Sequence, residues 1–399
     1  MLKYIFALSN NCDNQIYMKR ISILFLIFST FLYSQKIQIV DAENSQPIAN
    51  ARIVLSDQLM YTNEDGFAPL DGNSKDFEVS ASGFHKENFI TFQNVVRLKP
   101  YVKDIEEVKI IDIDIKNLFE DLYKNYHKRY YDEPSLYDIT FKSKGFNNDK
   151  LFFMVIAEAK LWSKSNAYNF KYGYRKDYDE MLQMQLNNVK FYKKNESESI
   201  FNIKTKDVSH DEIGNYFFSY EIYRMLLNMR MKNSKNVGRL LSEDVDLQLI
   251  GIKIKSENGI EIEGEITYDK KDKVITLYNL NYMQSGYPVY KKVNTDGKEF
   301  EYQLGNANVT FDFYKKEGKY IQALKKTSGE QFFIIHDGKK DERKFSTEII
   351  YNTFAKSDKK GLISKVDFTK NIWENIPVKE DKESTILLSK EEQEFINQK

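Results

Sequence analysis

The segment Val245–Met283, VDLQLIGIKIKSENGIEIEGEITYDKKDKVITLYNLNYM, constrains this chain more than any other. Ile252 and Ile254 precede the turn SENG. Ile260, Ile262, Ile266 and Tyr268 follow it, and DKKDK turns the chain again into Val274–Met283. Alternation at a period of two marks a strand with one face in a core and the other in water. The segment therefore predicts a meander of long antiparallel strands. The pattern recurs in NVTFDFYKKEGKYIQALKK, where Val309, Phe311 and Phe313 alternate before a turn at Lys315–Lys319, and in GEQFFIIHDGKKDERKFSTEIIYNTF. Earlier, YDITFKSKGF, the turn NNDK and LFFMVIAEAKLW read as a hairpin, with MLQMQLNNVKFY as a further strand. So many alternating strands leave one extended apolar face that another layer must cover.

Two segments have the period of a covering helix. Ile115, Leu118, Phe119, Leu122, Tyr123 and Tyr126 fall on one face, with Asp114 as N-cap and Pro134 as stop. SYEIYRMLLNMRMK reads as a second helix, capped by Ser219, with its methionines as core filler. The expectation is a curved antiparallel sheet with helices 115–131 and 219–233 on its concave face, in a domain spanning 114–370. In the tail, 371–399, the run SKEE forms a capping box for a short last helix, and Trp373 is expected to cap the sheet's open end.

The amino-terminal end points to export. Met18-Lys19-Arg20 is followed by the apolar run Ile21–Tyr33 and then Ser34, the order of a secretory signal and too short for a comfortable membrane span. Met18 is therefore read as the start, with cleavage after Ser34, so that residues 1–34 comprise an upstream extension and a signal peptide. Cleavage removes Cys12, the only cysteine, leaving no disulfide and no thiolate. Of 59 cationic and 59 anionic residues it also removes Lys3, Lys19, Arg20 and Asp13, leaving 56 and 58. A net charge of −2 gives no pull toward nucleic acid.

Residues 35–113 read differently, as five or more short strands separated by turns, the pattern of a small antiparallel sandwich. DAENSQPIANARIVLSDQLMYTNEDGFAPL carries Asp41, Pro47, Ala51-Arg52-Ile53-Val54, Thr62 and Asp65-Gly66-Phe67; Gly83-Phe84 and VRLKPYVKDIEEVKI follow. Together these resemble the carboxypeptidase-like regulatory domain, a transthyretin-like sandwich, over about 75 residues. The resemblance implies a spacer or adhesion module of Gram-negative envelope proteins, without peptidase chemistry. More weakly, IEGEITYDKKDKVITLYNLNY resembles a strand turn of periplasmic lipoprotein carriers. The tail, from Trp373 through LSKEEQEF, is similar to the ending of exported proteins with the same first domain.

Motifs for chemistry are lacking. The four histidines, His85, His127, His210 and His336, are not spaced as metal ligands, and His210-Asp211-Glu212 would point to alternate faces of a strand. There is no Gly-x-Ser-x-Gly elbow and no phosphate-cradling Gly-rich loop. Asp65 belongs to an Asp-Gly turn rather than a calcium site, which needs several oxygen ligands. No residue is nominated as catalytic, cofactor-binding or metal-ligating, and no cofactor is expected. The chain ends in Asn-Gln-Lys, and its strand faces are crowded with Lys and Glu, which argues against a membrane barrel. The expectation is a non-catalytic exported envelope protein, periplasmic, outer-membrane-associated or extracellular, acting as a scaffold on a protein partner. The alternative is a carrier or sensor holding a lipid on the concave face, and the third reading is an uncharacterised hydrolase. What covers that face, side chains or a ligand, separates the first two.

Overall fold

The computed structural model describes residues 36–56, 58–100, 111–194 and 213–357 and part of 362–397. It is mainly β, with a small two-sheet unit followed by a large antiparallel sheet and a few helices. The expected signal peptide, Trp373 and His210 to Glu212 lie outside the described residues.

The small unit contains β1 (Lys36–Asp41), β2 (Arg52–Val54), β3 (Leu59–Tyr61), β4 (Phe67–Pro69), β5 (Phe77–Ser80), β6 (Glu87–Phe89) and β7 (Val95–Leu98). They form sheets ordered β4-β1-β7 and β3-β2-β5-β6 around a core of Ile37, Ile39, Ile53, Phe77, Val79, Val96 and Leu98. The sandwich is not wholly antiparallel, because β1 runs parallel to β7. Thr62, buried at the edge of this core, accepts from the Ala51 N–H (2.9 Å) and donates to the Ile48 carbonyl (2.6 Å). The expected last strand, 104–113, is only partly described. Its visible end, Ile111–Ile113, leaves the sandwich and hydrogen-bonds to Gly238 and Leu240 of the large sheet.

After Asp114, whose side chain accepts from the Asn117 N–H, come α1 (Ile115–Lys124) and α2 (Tyr126–Arg129). The expected single helix to residue 131 breaks at Asn125 and ends in extended backbone at Tyr130. The strands β8 (Ser135–Asn147) and β9 (Lys150–Ser163), the helix α3 (Phe170–Arg175), the strand β10 (Leu182–Lys194) and the helix α4 (Phe218–Arg230) follow. Ser219 is not the cap of α4. It lies inside the first turn, and its hydroxyl accepts from the Tyr168 N–H (2.8 Å). Then come β11 (Lys235–Glu243), β12 (Leu247–Lys255), β13 (Glu261–Asp269), β14 (Val274–Met283), β15 (Tyr290–Val293), β16 (Glu299–Gln303), β17 (Asn306–Lys316), β18 (Lys319–His336), β19 (Lys339–Tyr351), β20 (Ala355–Lys356) and α5 (Lys390–Asn397).

Thirteen of these strands form one sheet with the main path β10-β9-β8-β19-β18-β17-β14-β13-β12-β11. Bulges interrupt several pairs, including β17 with β18 at Asp312/Phe313, and a bulge bends its strand. The helices α1 and α4 cover one face. Ile115, Phe119 and Leu122 of α1 and Phe218, Ile222, Met225 and Met229 of α4 pack on Ile250, Ile266, Tyr278, Phe311 and Phe313. Tyr130 secures this layer. Where the pairing of β14 with β17 stops at Leu277–Asp312, its hydroxyl accepts from the Ile275 N–H and donates to the Ile275 carbonyl, both at 2.9 Å. Two backbone groups that would otherwise be buried without partners are thereby satisfied.

Gly66, expected to permit the sandwich's turn, has φ of +75°, and a Cβ there would meet the Ile39 carbonyl at 2.7 Å. Gly66→Ala should therefore lower stability by about 1–3 kcal/mol, read as a reduced urea midpoint.

Candidate functional site

The residues that earlier drew attention as chemistry do not converge. His85 lies on the sandwich, His127 on α2 and His336 at the end of β18, where its Nδ1 is 3.0 Å from the Glu299 carbonyl. Among the described residues, no group of three or more His, Cys, Asp or Glu is placed to hold a metal ion. Asp65 accepts a hydrogen bond from the Lys390 backbone N–H at the start of α5 (2.9 Å), and Met225 and Met229 are core.

What the fold brings together lies on the other face of the large sheet. Alternation along β17 sends Phe311 and Phe313 to the helices and Asp312 to the opposite side, where the sandwich docks. There Asp312 accepts from the Arg52 guanidinium (2.6 Å) and the Tyr61 hydroxyl (2.5 Å), and Arg52 also donates to the Phe313 carbonyl (2.8 Å). Both members of the ion pair are only 13% exposed. Burial opposes the Arg52 charge, but Asp312 together with Tyr61 and Glu78 outweighs it, and the guanidinium's pKa lies above its ordinary value. Burial, with the Asp312 carboxylate, pushes the Tyr61 hydroxyl well above the usual tyrosine range, so it remains a donor. Beside this pair, Leu59 and Tyr61 pack on Ala323, Leu324 and Ile350, and the Leu59 N–H donates to the Asn352 carbonyl (2.9 Å).

The docking patch is narrow, and grooves flank it. The larger, of about 880 Å³, lies between Leu59–Leu70 of the sandwich, the outward faces of β8, β9, β18 and β19, and the segment leading into α5. Charged pairs rim it. Lys142 and Lys144 of β8 approach Glu392 at 3.6 and 3.4 Å, and Lys326 approaches Glu348 at 3.9 Å. The expected capping box is present: the Ser389 hydroxyl accepts from the Glu392 N–H (3.1 Å), and the Glu392 carboxylate accepts from the Ser389 N–H (3.0 Å). Burial works against the Glu392 charge, but Lys142 and Lys144 hold its pKa below the usual glutamate range. The second groove, of about 540 Å³, lies on the far side of Arg52 and Asp312.

A second buried charge sits under α4. The Glu221 carboxylate accepts from Tyr278 (2.7 Å), Tyr282 and Arg224, whose Nη1 also donates to Asn215 (3.0 Å). Glu221 is 2% exposed. Burial raises its pKa, but Arg224 and the two hydroxyls prevail, and it lies below the usual glutamate range. The sequence carries one signal for this residue: a glutamate one turn before Met225 on the apolar stripe of a helix. Asp312 gave no such signal, because it occupies the polar phase of an ordinary alternating strand.

No family model, no curated protein and no solved structure matches this chain.

Asp312→Ala strands Arg52 in the junction and should cost about 3–5 kcal/mol, with faster proteolysis between the sandwich and the large sheet. Glu221→Gln should cost a similar amount at neutral pH, about 3–5 kcal/mol, by leaving Arg224 without its anion. Because the folded Glu221 pKa lies below its ordinary value, its stabilisation is full above pH 4.5 and is lost as pH falls through the folded value. The gap between the urea midpoints of Glu221→Gln and the native chain should therefore close on acidification.

Proposed function

We propose that this chain is a non-catalytic exported protein of the bacterial envelope, a scaffold in which the sandwich and the large sheet together present a surface to a protein partner. The observation that carries this reading is the helix-covered face. Where a carrier of hydrophobic molecules needs a removable ligand, the space under α1 and α4 holds Tyr278, Phe311, Phe313 and Phe218, each 0–2% exposed. The large groove lies elsewhere, and its rim of Lys142, Lys144, Lys326, Glu348 and Glu392 suits a polypeptide with charges of both signs better than an acyl chain. The seven-strand, two-sheet form of residues 36–98 supports kinship of the first domain with the carboxypeptidase-like regulatory modules. Export rests on the sequence order of Met18 through Ser34. Among the described residues, no helix is long and apolar enough to cross a membrane.

Expression from Met18 in a Gram-negative host, with gentle purification and native mass spectrometry, tests the proposal. A start at or near Gln35 and a mass that is bare, or heavier by a polypeptide, is the expected result. A retained Met18 would overturn export, and a mass heavier by one lipid would overturn the scaffold in favour of a carrier.

A further inference from the structure

The backbone register aligns one residue from each of nine neighbouring strands on the helix-covered face. From β12 to β10 they are Ile250, Ile266, Tyr278, Phe311, Lys325, Ile349, Phe141, Ala157 and Val189. Eight are apolar or aromatic. The ninth is a lysine, at the centre, where the core under α4 meets the core under Tyr168 and Phe217.

Lys325 is 5% exposed, and its ammonium makes no hydrogen bond or ion pair among the described residues. Its nearest described neighbour by ring geometry is Tyr216, with the ammonium 5.9 Å from the ring centre. An ammonium held in an apolar row without a hydrogen bond or ion pair is costly, and a leucine or methionine would fill the place more cheaply. Burial, with Arg224 nearby, lowers its pKa to about 8, and Glu221 only partly offsets this. Two positions along β18 on the same face, the Thr327 hydroxyl is also buried without a partner. The register sets Thr347 and Ser143 beside Thr327, and all three residues are half-buried, so this polar strip leads from Lys325 toward the surface.

The charges choose the occupant. The groups around Lys325 are Glu221 and Arg224 from α4 and Tyr216 before it, with Tyr278 and Tyr282 joined to the far side of the cluster through Glu221. Tyr278 and Tyr282 have pKa values raised well above the usual range and are neutral. Lys325, Arg224 and Glu221 then sum to one positive charge. Each nitrogen of Arg224 already donates to Glu221 or Asn215, whereas the Lys325 ammonium donates to nothing among the described residues. One singly charged anion neutralises the cluster, whereas a doubly charged phosphate would reverse its sign. We infer that Lys325 and Thr327 form a binding site for one carboxylate group of a small organic acid, held by the ammonium and the threonine hydroxyl. The site is separate from the groove beside the sandwich and does not depend on the scaffold reading.

Isothermal calorimetry of the mature chain with sodium acetate and sodium benzoate, in chloride-matched buffer at mildly alkaline pH below 8, where inorganic phosphate is mainly doubly charged and Lys325 still mostly protonated, tests this, with that phosphate as comparison. Saturable one-to-one carboxylate binding is expected. In Lys325→Met it should weaken roughly tenfold or more, with thermal stability equal to or above the native chain. Thr327→Val should give a smaller loss. In the native chain, affinity should hold below pH 8 and fall as Lys325 loses its proton above it. The inference is overturned by no saturable carboxylate binding, by equal binding in Lys325→Met, or by phosphate binding more tightly than carboxylate. If Lys325→Met does not fold, a flat affinity across the alkaline range in the native chain overturns it as well.

Discussion

Phe311, Asp312 and Phe313 hold this protein together from three consecutive positions. Because a strand alternates, the two phenylalanines enter the layer beneath α4 while the carboxylate between them enters the opposite layer, against Arg52 and Tyr61. The large sheet is thus covered on both sides at β17, by helices on one and by the sandwich on the other. The bulge that begins at Asp312/Phe313 loosens the ladder there, and the Phe313 carbonyl accepts from Arg52. The rest of the assembly is arranged around that point. The apolar docking patch of Leu324 and Ile350 lies on neighbouring strands, and the two grooves open on either side of it.

The Glu221 network places α4 with similar economy. Tyr278 and Tyr282 lie four residues apart on one strand and so share a face; Arg224 lies one helical turn beyond Glu221. Their convergence on a single carboxylate satisfies a charge that would otherwise be costly to bury. Sliding the helix by one residue would turn Glu221 away from both tyrosines at once, while Arg224, on the same helix, would move with it. Apolar contacts alone, being non-directional, would not choose the register so sharply.

Features that depend on local periodicity were legible in the sequence. The alternation of Ile262, Ile266 and Tyr268, the N-cap at Asp114 and the capping box of Ser389 and Glu392 all occur where residue spacing placed them. Ser219 misled because a hydroxyl near the start of an apolar run reads as a cap. In the fold that hydroxyl instead receives a backbone N–H from Tyr168, about fifty residues earlier in the chain. Asp312 and Lys325 were illegible for opposite reasons. Asp312 obeys the alternation, and only the arrival of a distant domain buries it. Lys325 stands in the apolar phase, but Lys326 beside it makes the pair look like an ordinary charged strand end. Tyr130 likewise gives no sequence sign that its hydroxyl will stand in for a missing strand partner.

The contacts that dock the sandwich span long stretches of sequence: 260 residues separate Arg52 from Asp312, and 325 separate Asp65 from the Lys390 amide. The core of residues 36–98, by contrast, draws on its own strands. During synthesis the sandwich can therefore close on itself early, while its outward Leu59, Tyr61 and Arg52 wait for β17 through β19 to emerge. The α5 contact comes last, and it joins the Asn63–Gly66 turn to β8 through one short segment. Folding is thus local at its start and non-local at its finish, an order that is slow and leaves the chain open for most of its making. Late closure of this kind keeps most of the chain threadable until its last strands are made, which is what the proposed export would require.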